Sequence, residues 1–306
     1  MPRTVLRIGT RSSALALAQA EMVRKAINAV LSKRTFELVP VVTSGDEAPE
    51  FRRAGIKGLF VSDIQQALVN GKIDLAVHSA KDLPAETPEG VALAAITPRE
   101  DPRDALLTRQ GAGLERLEPG TTFGTSSLRR SSQLLAMGRG FVPKPIRGNV
   151  DTRLRKLTEG EVGALVVALA GLRRLGKDQR VVQVFSPEVM MPAPGQGALA
   201  VECRASDKEM RAALGEIEEP AARRAYEAER ALMVALGGDC SLPLGALATI
   251  TGNSIRLRGM VATLDGKHVL RDEQTGEDPI AVAQALAERM RAAGAADIVA
   301  ASREKI

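Results

Sequence analysis

Arg7–Leu15 reads RIGTRSSAL, and Thr122–Arg130 reads TFGTSSLRR. Each stretch runs from a short apolar strand through Gly-Thr to serines that open a helical pattern. A strand that hands directly to a helix leaves the helix's first backbone N–H groups just beyond the strand end, which is an anion-binding geometry. Plain N-capping by serine or threonine explains either copy alone. Two copies, one at Gly9 and one at Gly124, imply two α/β lobes of similar build that hold an anionic ligand at strand C-terminal ends.

The pattern around the first copy supports this. Thr4–Gly9 reads as a strand and Ser12–Ser32 as a helix, with Leu15, Met22, Val23, Ile27, Val30 and Leu31 at helical spacing. Phe36–Thr43 is a Val-rich strand, and Ser44–Gly58 reads as a long mobile loop. Ser62 and Gln65 form a capping-box pair for a helix ending near Asn70–Gly71. Ile73–His78 is a buried strand. Strand, helix, strand in this order predicts parallel pairing.

Around the second copy, Thr121–Gly124 reads as a strand, Ser126–Met137 as a helix and Phe141–Ile146 as a strand. Val150–Thr158 is a helix, and Ala164–Ala168 and Ala198–Cys203 are buried strands. After Pro220 the texture changes to a long helix (221–236) and strands at 244–249, 255–264 and 267–272, with Asp265–Gly266 as a hairpin turn. A helix over 279–293 closes an α+β region with an antiparallel sheet.

Charge is local. Gly124–Arg174 holds ten basic and three acidic residues, while the rest of the chain holds 32 basic and 34 acidic. Eight of the ten are arginines, whose fork suits carboxylate or phosphate. A solvated basic face is the alternative. With six Phe, one Tyr and no Trp, the chain lacks the stacking platforms of a single-strand nucleic-acid binder. No run approaches a membrane span. MPRTVLRIGTRSS has no apolar signal core and two cysteines make no disulfide framework, so a cytosolic protein with reduced thiols is expected.

Three places carry candidate chemistry. IDLAVHSAKDLP sets Lys81 and Asp82 just past a strand end. There the carboxylate is either a cap or loop salt bridge, or a group that stabilises positive charge on a substrate. His78 reads as a satisfied strand-end residue and His268 as an exposed hairpin residue. With two separated histidines and two separated cysteines, no metal site is expected. Cys203 reads as a bystander at the end of ALAVECR. Cys240, in LGGDCSLPLG, follows two glycines and is either inert or a thiol that bonds covalently to a ligand.

Taken together, the blocks LRIGTRSSALALAQA, GIKGLFV, DLAVHSAKDLP, REDPRDALL, GTSSLRRSSQLL, IRGNVDTRLRKL, ALAGLRRLG, MPAPGQGALAVECR and GGDCSLPLGA resemble the porphobilinogen deaminase (hydroxymethylbilane synthase) family over nearly the whole chain. The resemblance implies a transferase of tetrapyrrole and haem biosynthesis. It would join four porphobilinogen molecules head to tail into hydroxymethylbilane, releasing ammonia. The primer would be a dipyrromethane cofactor attached through a thioether to Cys240.

Asp82 would be the catalytic carboxylate. Cofactor contacts would come from Lys81, Asp82, Thr125, Ser127, Arg129, Arg130, Arg153 and Gly171, and substrate contacts from Arg11, Ser13, Lys57, Arg147, Arg153, Arg174 and Gln196. No metal, nucleic acid or membrane is implied, and a monomer is. Ile56 departs from a GGKG-like lid motif, and Asp239 stands where GGC is common. The implied fold is α/β, with two lobes like those of type II periplasmic binding proteins and a C-terminal α+β domain. The implied domains are 1–97 with 198–215, 103–191, and 220–306, the last carrying the cofactor cysteine. The return of the chain to the first domain near Ala198 comes from the resemblance alone.

Overall fold

A computed structural model describes residues 5–41, 59–238 and 242–303. The chain divides into two compact units, one of residues 1–100 and 198–223, the other of 101–197 and 224–306. Among the described residues, no helix is long and apolar enough to cross a membrane.

The first unit is built on a five-stranded sheet. Strands β1 (Val5–Thr10), β2 (Thr35–Pro40), β3 (Leu75–Ser79), β4 (Val91–Ile96) and β10 (Leu199–Arg204) lie in the order β2-β1-β3-β10-β4. β1 is parallel to both β2 and β3, whereas β10 runs antiparallel to both β3 and β4. Helix α1 (Ala14–Val30) buries Gln19, Ala20, Val23 and Ile27, a stripe at intervals of three and four residues. Its N-cap is Ser13, whose Oγ accepts the Ala16 N–H at 3.3 Å.

Alternation along β3 serves both faces of this sheet. Leu75 and Val77 join the α1 side, with Ile8, Val23 and Ile27. Ala76 joins Ile64 and Leu68 of helix α2 (Leu59–Val69) on the other side. α2 is already helical before Ser62, so Ser62 and Gln65 do not cap its start. Gln65 is buried, and its Nε2 donates to the Glu202 carboxylate at 2.9 and 3.1 Å. The Ser44–Gly58 loop lies outside the described residues.

The second unit repeats the sheet. Strands β5 (Asp104–Thr108), β6 (Thr122–Gly124), β7 (Val142–Lys144), β8 (Ala164–Ala168) and β9 (Gln183–Val184) lie in the order β7-β6-β8-β5-β9. β6 is parallel to β7 and β8, and β5 is antiparallel to β8 and β9. The two sheets therefore share one plan: three parallel strands, then an antiparallel fourth, then a fifth that reverses again. Helices α3 (Leu128–Ala136), α4 (Val150–Thr158) and α5 (Leu169–Arg174) pack on it. Leu165 and Val167 of β8 face Leu154, Leu157 and Leu172, while Ala164 and Val166 face Phe123, Leu134 and Phe185.

Space explains both glycines of the repeated motif. Neither has a positive φ. A Cβ on Gly9 would lie 2.2 Å from Ile73 Cδ1. On Gly124 it would lie 2.6 Å from Leu165 Cδ2 and 3.1 Å from both Ile146 Cδ1 and Val162 Cγ2. Crowding by three side chains leaves no simple escape. Gly124→Ala is therefore expected to cost about 1–3 kcal/mol and to lower the thermal midpoint by several degrees. An unchanged melt would show that the pocket relaxes freely.

The C-terminal part of the second unit is a three-stranded antiparallel sheet, β11 (Leu244–Thr251), β12 (Ser254–Ala262) and β13 (Val269–Gly276). Helices α7 (Pro220–Ala235), α8 (Pro279–Ala292) and α9 (Ala295–Arg303) complete the fold, with α6 (Lys208–Gly215) in the first unit. Met191, Leu247, Met260 and Ala262 form one apolar cluster that joins this sheet to the segment after β9. The β12–β13 connection spans residues 263–268, wider than the two-residue turn expected at Asp265–Gly266. Gly266, at φ +70°, takes the left-handed position within it. The expected class, two α/β lobes and an α+β C-terminal region, is what the sheets display.

Candidate active site

In the first unit, β1 and β3 are parallel neighbours, so both end at the same edge of the sheet. Arg11 and Ser13 follow β1. Lys81 and Asp82 lie in a single 3-10 turn, Ala80–Asp82, that follows β3. This edge is held from two directions. Gln19 Nε2 of α1 donates to Ser79 Oγ at 2.9 Å, and the Ala80 N–H donates to the Ala198 carbonyl at 3.0 Å. Ala80 of the turn and Leu83 just after it are buried, whereas Asp82 itself is exposed and Lys81 half-buried.

A second polar pair joins β3 to its antiparallel neighbour β10. His78 is buried, with Nε2 3.2 Å from Glu202 Oε2 but without hydrogen-bonding geometry, so the satisfied strand-end residue expected there is not what the structure displays. Cys203 is also buried, and burial pushes its thiol up to about 11, with Asp207 adding to the shift. That suits a bystander. His268 is exposed, as expected.

In the second unit the candidates follow three parallel strands, so they gather beyond one end of one sheet. Thr125, Ser127, Arg129 and Arg130 follow β6, Arg147 and Arg153 follow β7, and Gly171 and Arg174 follow β8. The turn after β6 is shaped by its own hydroxyls. Thr125 is buried, and its Oγ1 accepts the Ser127 N–H at 3.1 Å. Ser126 Oγ donates to the Ile146 carbonyl at 2.8 Å and accepts the Ile146 N–H at 3.1 Å. Ser127 holds the N-cap position of α3 without a side-chain capping bond.

Arg153 Nε donates to the Gly148 carbonyl at 3.0 Å, and Arg174 Nη2 to the Gly197 carbonyl at 2.5 Å. Arg147 is exposed, and Gly171 is buried within α5. Lys57 and Cys240 lie outside the described residues.

Arg129 and Arg130 are buried, only 4% and 6% exposed, which excludes the solvated-face reading for them. Both bond Asp104, a wholly buried carboxylate that the sequence patterns did not single out. Arg129 Nη1 donates to Asp104 Oδ2 at 2.8 Å and to the Met191 carbonyl at 2.5 Å. Arg130 donates to Asp104 Oδ1 through Nη2 at 2.6 Å and Nε at 3.2 Å. The Gln196 amide, also buried, donates to Asp104 Oδ1 at 2.9 Å and to the Pro102 carbonyl at 2.7 Å.

Burial alone would raise the Asp104 carboxyl, but the two guanidiniums outweigh it and hold the group far below the usual carboxylate range. Burial also lowers the Arg129 guanidinium, against the pull of Asp104.

Asp104 thus ionises more readily in the folded chain than in the unfolded one. Its stabilisation is complete above about pH 4 and is lost as pH falls toward the folded value. The stability advantage of the wild type over Asp104→Asn is expected to shrink as denaturant titrations move from neutral pH to below about pH 4. A difference independent of pH would contradict this.

The sequence comparisons agree along nearly the whole chain. The model described as "Porphobilinogen deaminase, dipyromethane cofactor binding domain" matches residues 6–212, and "Porphobilinogen deaminase, C-terminal domain" matches residues 224–292. The porphobilinogen deaminase of Brevibacillus brevis is 44% identical over 297 residues, covering 96% of this chain and 96% of its own. That of Bacillus subtilis is 42% identical over 303 residues, covering 98% of this chain and 96% of its own.

The chain belongs to the porphobilinogen deaminase family. It is an enzyme of tetrapyrrole biosynthesis, a hydroxymethylbilane synthase with a dipyrromethane cofactor domain. Among solved structures, it is similar to the methionine-binding protein MetQ (12% identity, 72% of this chain and 92% of that chain, TM-score 0.45).

Beyond Asp104, the sequence patterns missed Gln133 and Glu229. Gln133 Oε1 accepts the Met191 N–H at 2.7 Å, and its Nε2 donates to the Arg129 carbonyl at 3.0 Å. Wholly buried Glu229 of α7 accepts the Gly195 N–H at 2.6 Å and the Ala248 N–H at 2.8 Å. Both side chains fix the MPAPGQG segment, which delivers Gln196 to Asp104. For Glu229, an acidic residue inside the otherwise apolar stripe Ala225, Tyr226, Leu232 and Met233 was the available signal.

Proposed function

We propose that the deaminase reaction is carried in this chain by Asp82 and by the arginine-rich strand ends of the second unit. The observation that carries the reading is the gathering of Arg129, Arg130, Arg147, Arg153 and Arg174 beyond the ends of three parallel strands, with the first two buried. This donor set fits a dipyrromethane, whose acetate and propionate groups call for forked cationic partners. Buried guanidiniums also need anionic partners, and one aspartate does not balance two of them.

Cys240 holds the cofactor through a thioether. When bound, the dipyrromethane supplies the free pyrrole α-carbon on which substrate units are joined. Arg129, Arg130, Lys81 and Arg153 hold its carboxylates, while Thr125, Ser127 and Gly171 complete its surroundings. Arg11, Ser13, Arg147, Arg153, Arg174 and Gln196 hold and orient porphobilinogen. Fixing both partners supplies much of the barrier reduction.

Asp82 stabilises the positive charge that develops as ammonia leaves the aminomethyl carbon of porphobilinogen. It also accepts hydrogen bonds from pyrrole N–H groups. The exposure of Asp82 in the turn after β3 supports this role, because a charge-stabilising carboxylate must be reachable by substrate. Lys57 adds a further cationic contact to porphobilinogen. The protein works as a cytosolic monomer, with domains at 1–97 plus 198–215, 103–191 and 220–306.

The experiment is direct. Purified chain from a haem-competent host, given porphobilinogen, should release ammonia and hydroxymethylbilane at a ratio of four to one. Tight binding of porphobilinogen without ammonia release would favour a pure binding protein on the same lobes.

A further inference from the structure

Asp104 opens β5, and its side chain is the point where three candidate ligand-holding side chains meet. Arg129 bonds one carboxylate oxygen, while Arg130 and the Gln196 amide bond the other. The three partners come from two places, two from α3 and one from the segment before β10. A bond from Arg129 to Met191 and one from Gln196 to Pro102 pin the outer ends of the cluster. All four side chains are buried.

Two consequences follow from charge and geometry. A guanidinium offers five N–H donors in one rigid plane. With Arg130 committed to Asp104 through Nε and Nη2, the plane of its fork is set, and so is the direction of the donors left over. The cluster also carries two cationic side chains against one carboxylate, so an excess of positive charge stays buried. Such an excess is costly unless a ligand anion meets it.

We infer that Asp104 is a positioning residue of the reaction, one whose carboxylate orients Arg129 and Arg130 so that their remaining donors grip the carboxylates of the cofactor. It touches neither substrate nor cofactor itself. The inference rests on the proposed ligand role of the two arginines. Its chemistry is that of a buried counter-anion: it keeps two like charges close together and leaves the cluster short of one negative charge for the ligand to bring.

The test uses the full chain expressed in a haem-competent host, in three variants. Asp104→Asn keeps the shape and removes the charge. Asp104→Glu keeps the charge and displaces it by one methylene. Arg130→Leu removes one of the forks. Readouts are the thermal melt, the fraction of chain carrying a two-pyrrole mass increment, and kcat and KM of the loaded fraction.

In Asp104→Asn the loaded fraction should fall well below that of the wild type. Asp104→Glu should fold and load, with kcat reduced about 10- to 100-fold and KM for porphobilinogen changed little, since a misplacement of about 1 Å costs on that scale. A merely structural anchor would lower the melt of Asp104→Glu and leave kcat of its loaded fraction alone, and that result overturns the inference. If Arg130→Leu is impaired while both Asp104 variants load and turn over as wild type, the inference fails and the arginine reading stands. If Arg130→Leu itself loads and turns over normally, the arginine reading fails and takes the role of Asp104 with it.

Discussion

Asp82→Asn is expected to give a folded, cofactor-loaded protein whose turnover is reduced by about two to four orders of magnitude, the range lost when a general acid–base or charge-stabilising group is removed. The substitution is isosteric and exposed, so the fold should barely register it, within about 0.5 kcal/mol. The turn that carries Asp82 is held from below by Gln19, Ala198 and the buried Leu83, none of which depends on the carboxylate. What the asparagine lacks is charge. As ammonia departs from porphobilinogen the carbon left behind becomes electron-poor, and the attacking pyrrole then becomes cationic in turn. A neutral amide offers a dipole where a full negative charge acted. Single-turnover product formation, read beside a thermal melt, separates the two effects. Near-normal product formation by the asparagine variant would remove Asp82 from the mechanism.

Local pattern made much of this protein legible. Val150–Thr158 and Ala164–Ala168 appear in the structure with the bounds their periodicity gives, because each is decided by apolar spacing within a few residues. The Gly-Thr-Ser echo led to two lobes, and both lobes have the same sheet plan.

Pairing over long distances was not legible. The fourth strand of each sheet, β10 in one and β5 in the other, runs against its parallel neighbours, and no local feature announces that. β4 and β5 were not expected as strands at all. VALAAI is rich in alanine, which has low strand preference, and DALLT opens on an aspartate.

The site shows the same division. Arginine-rich, glycine-flanked strand ends pointed to an anion site, but the inner anion could not be read. Asp104 finds Arg129 and Arg130 at sequence separations of 25 and 26, and Gln196 at 92. Gln65 gives the converse case. Its capping-box spacing was a local coincidence, and a buried partner 137 positions away, Glu202, decides its place.

The other large effect concerns Cys240. Cys240→Ser is expected to abolish the covalent cofactor, because a hydroxyl far less nucleophilic than a thiolate replaces the only sulfur in the glycine-rich loop. The second cysteine cannot substitute for it. Cys203 is fully buried in β10 and its thiol is held in the protonated form, so it offers neither access nor thiolate. Turnover should fall to the assay background, since without a tethered primer there is no anchored pyrrole α-carbon to which substrate units could be joined.

The decisive measurement is the intact mass of the wild-type chain and of Cys240→Ser, both purified from a haem-competent host. The wild type should exceed its bare polypeptide mass by one dipyrromethane, and the serine variant should match the polypeptide alone. A wild-type chain at bare mass, or an adduct that persists in Cys240→Ser, would contradict the account.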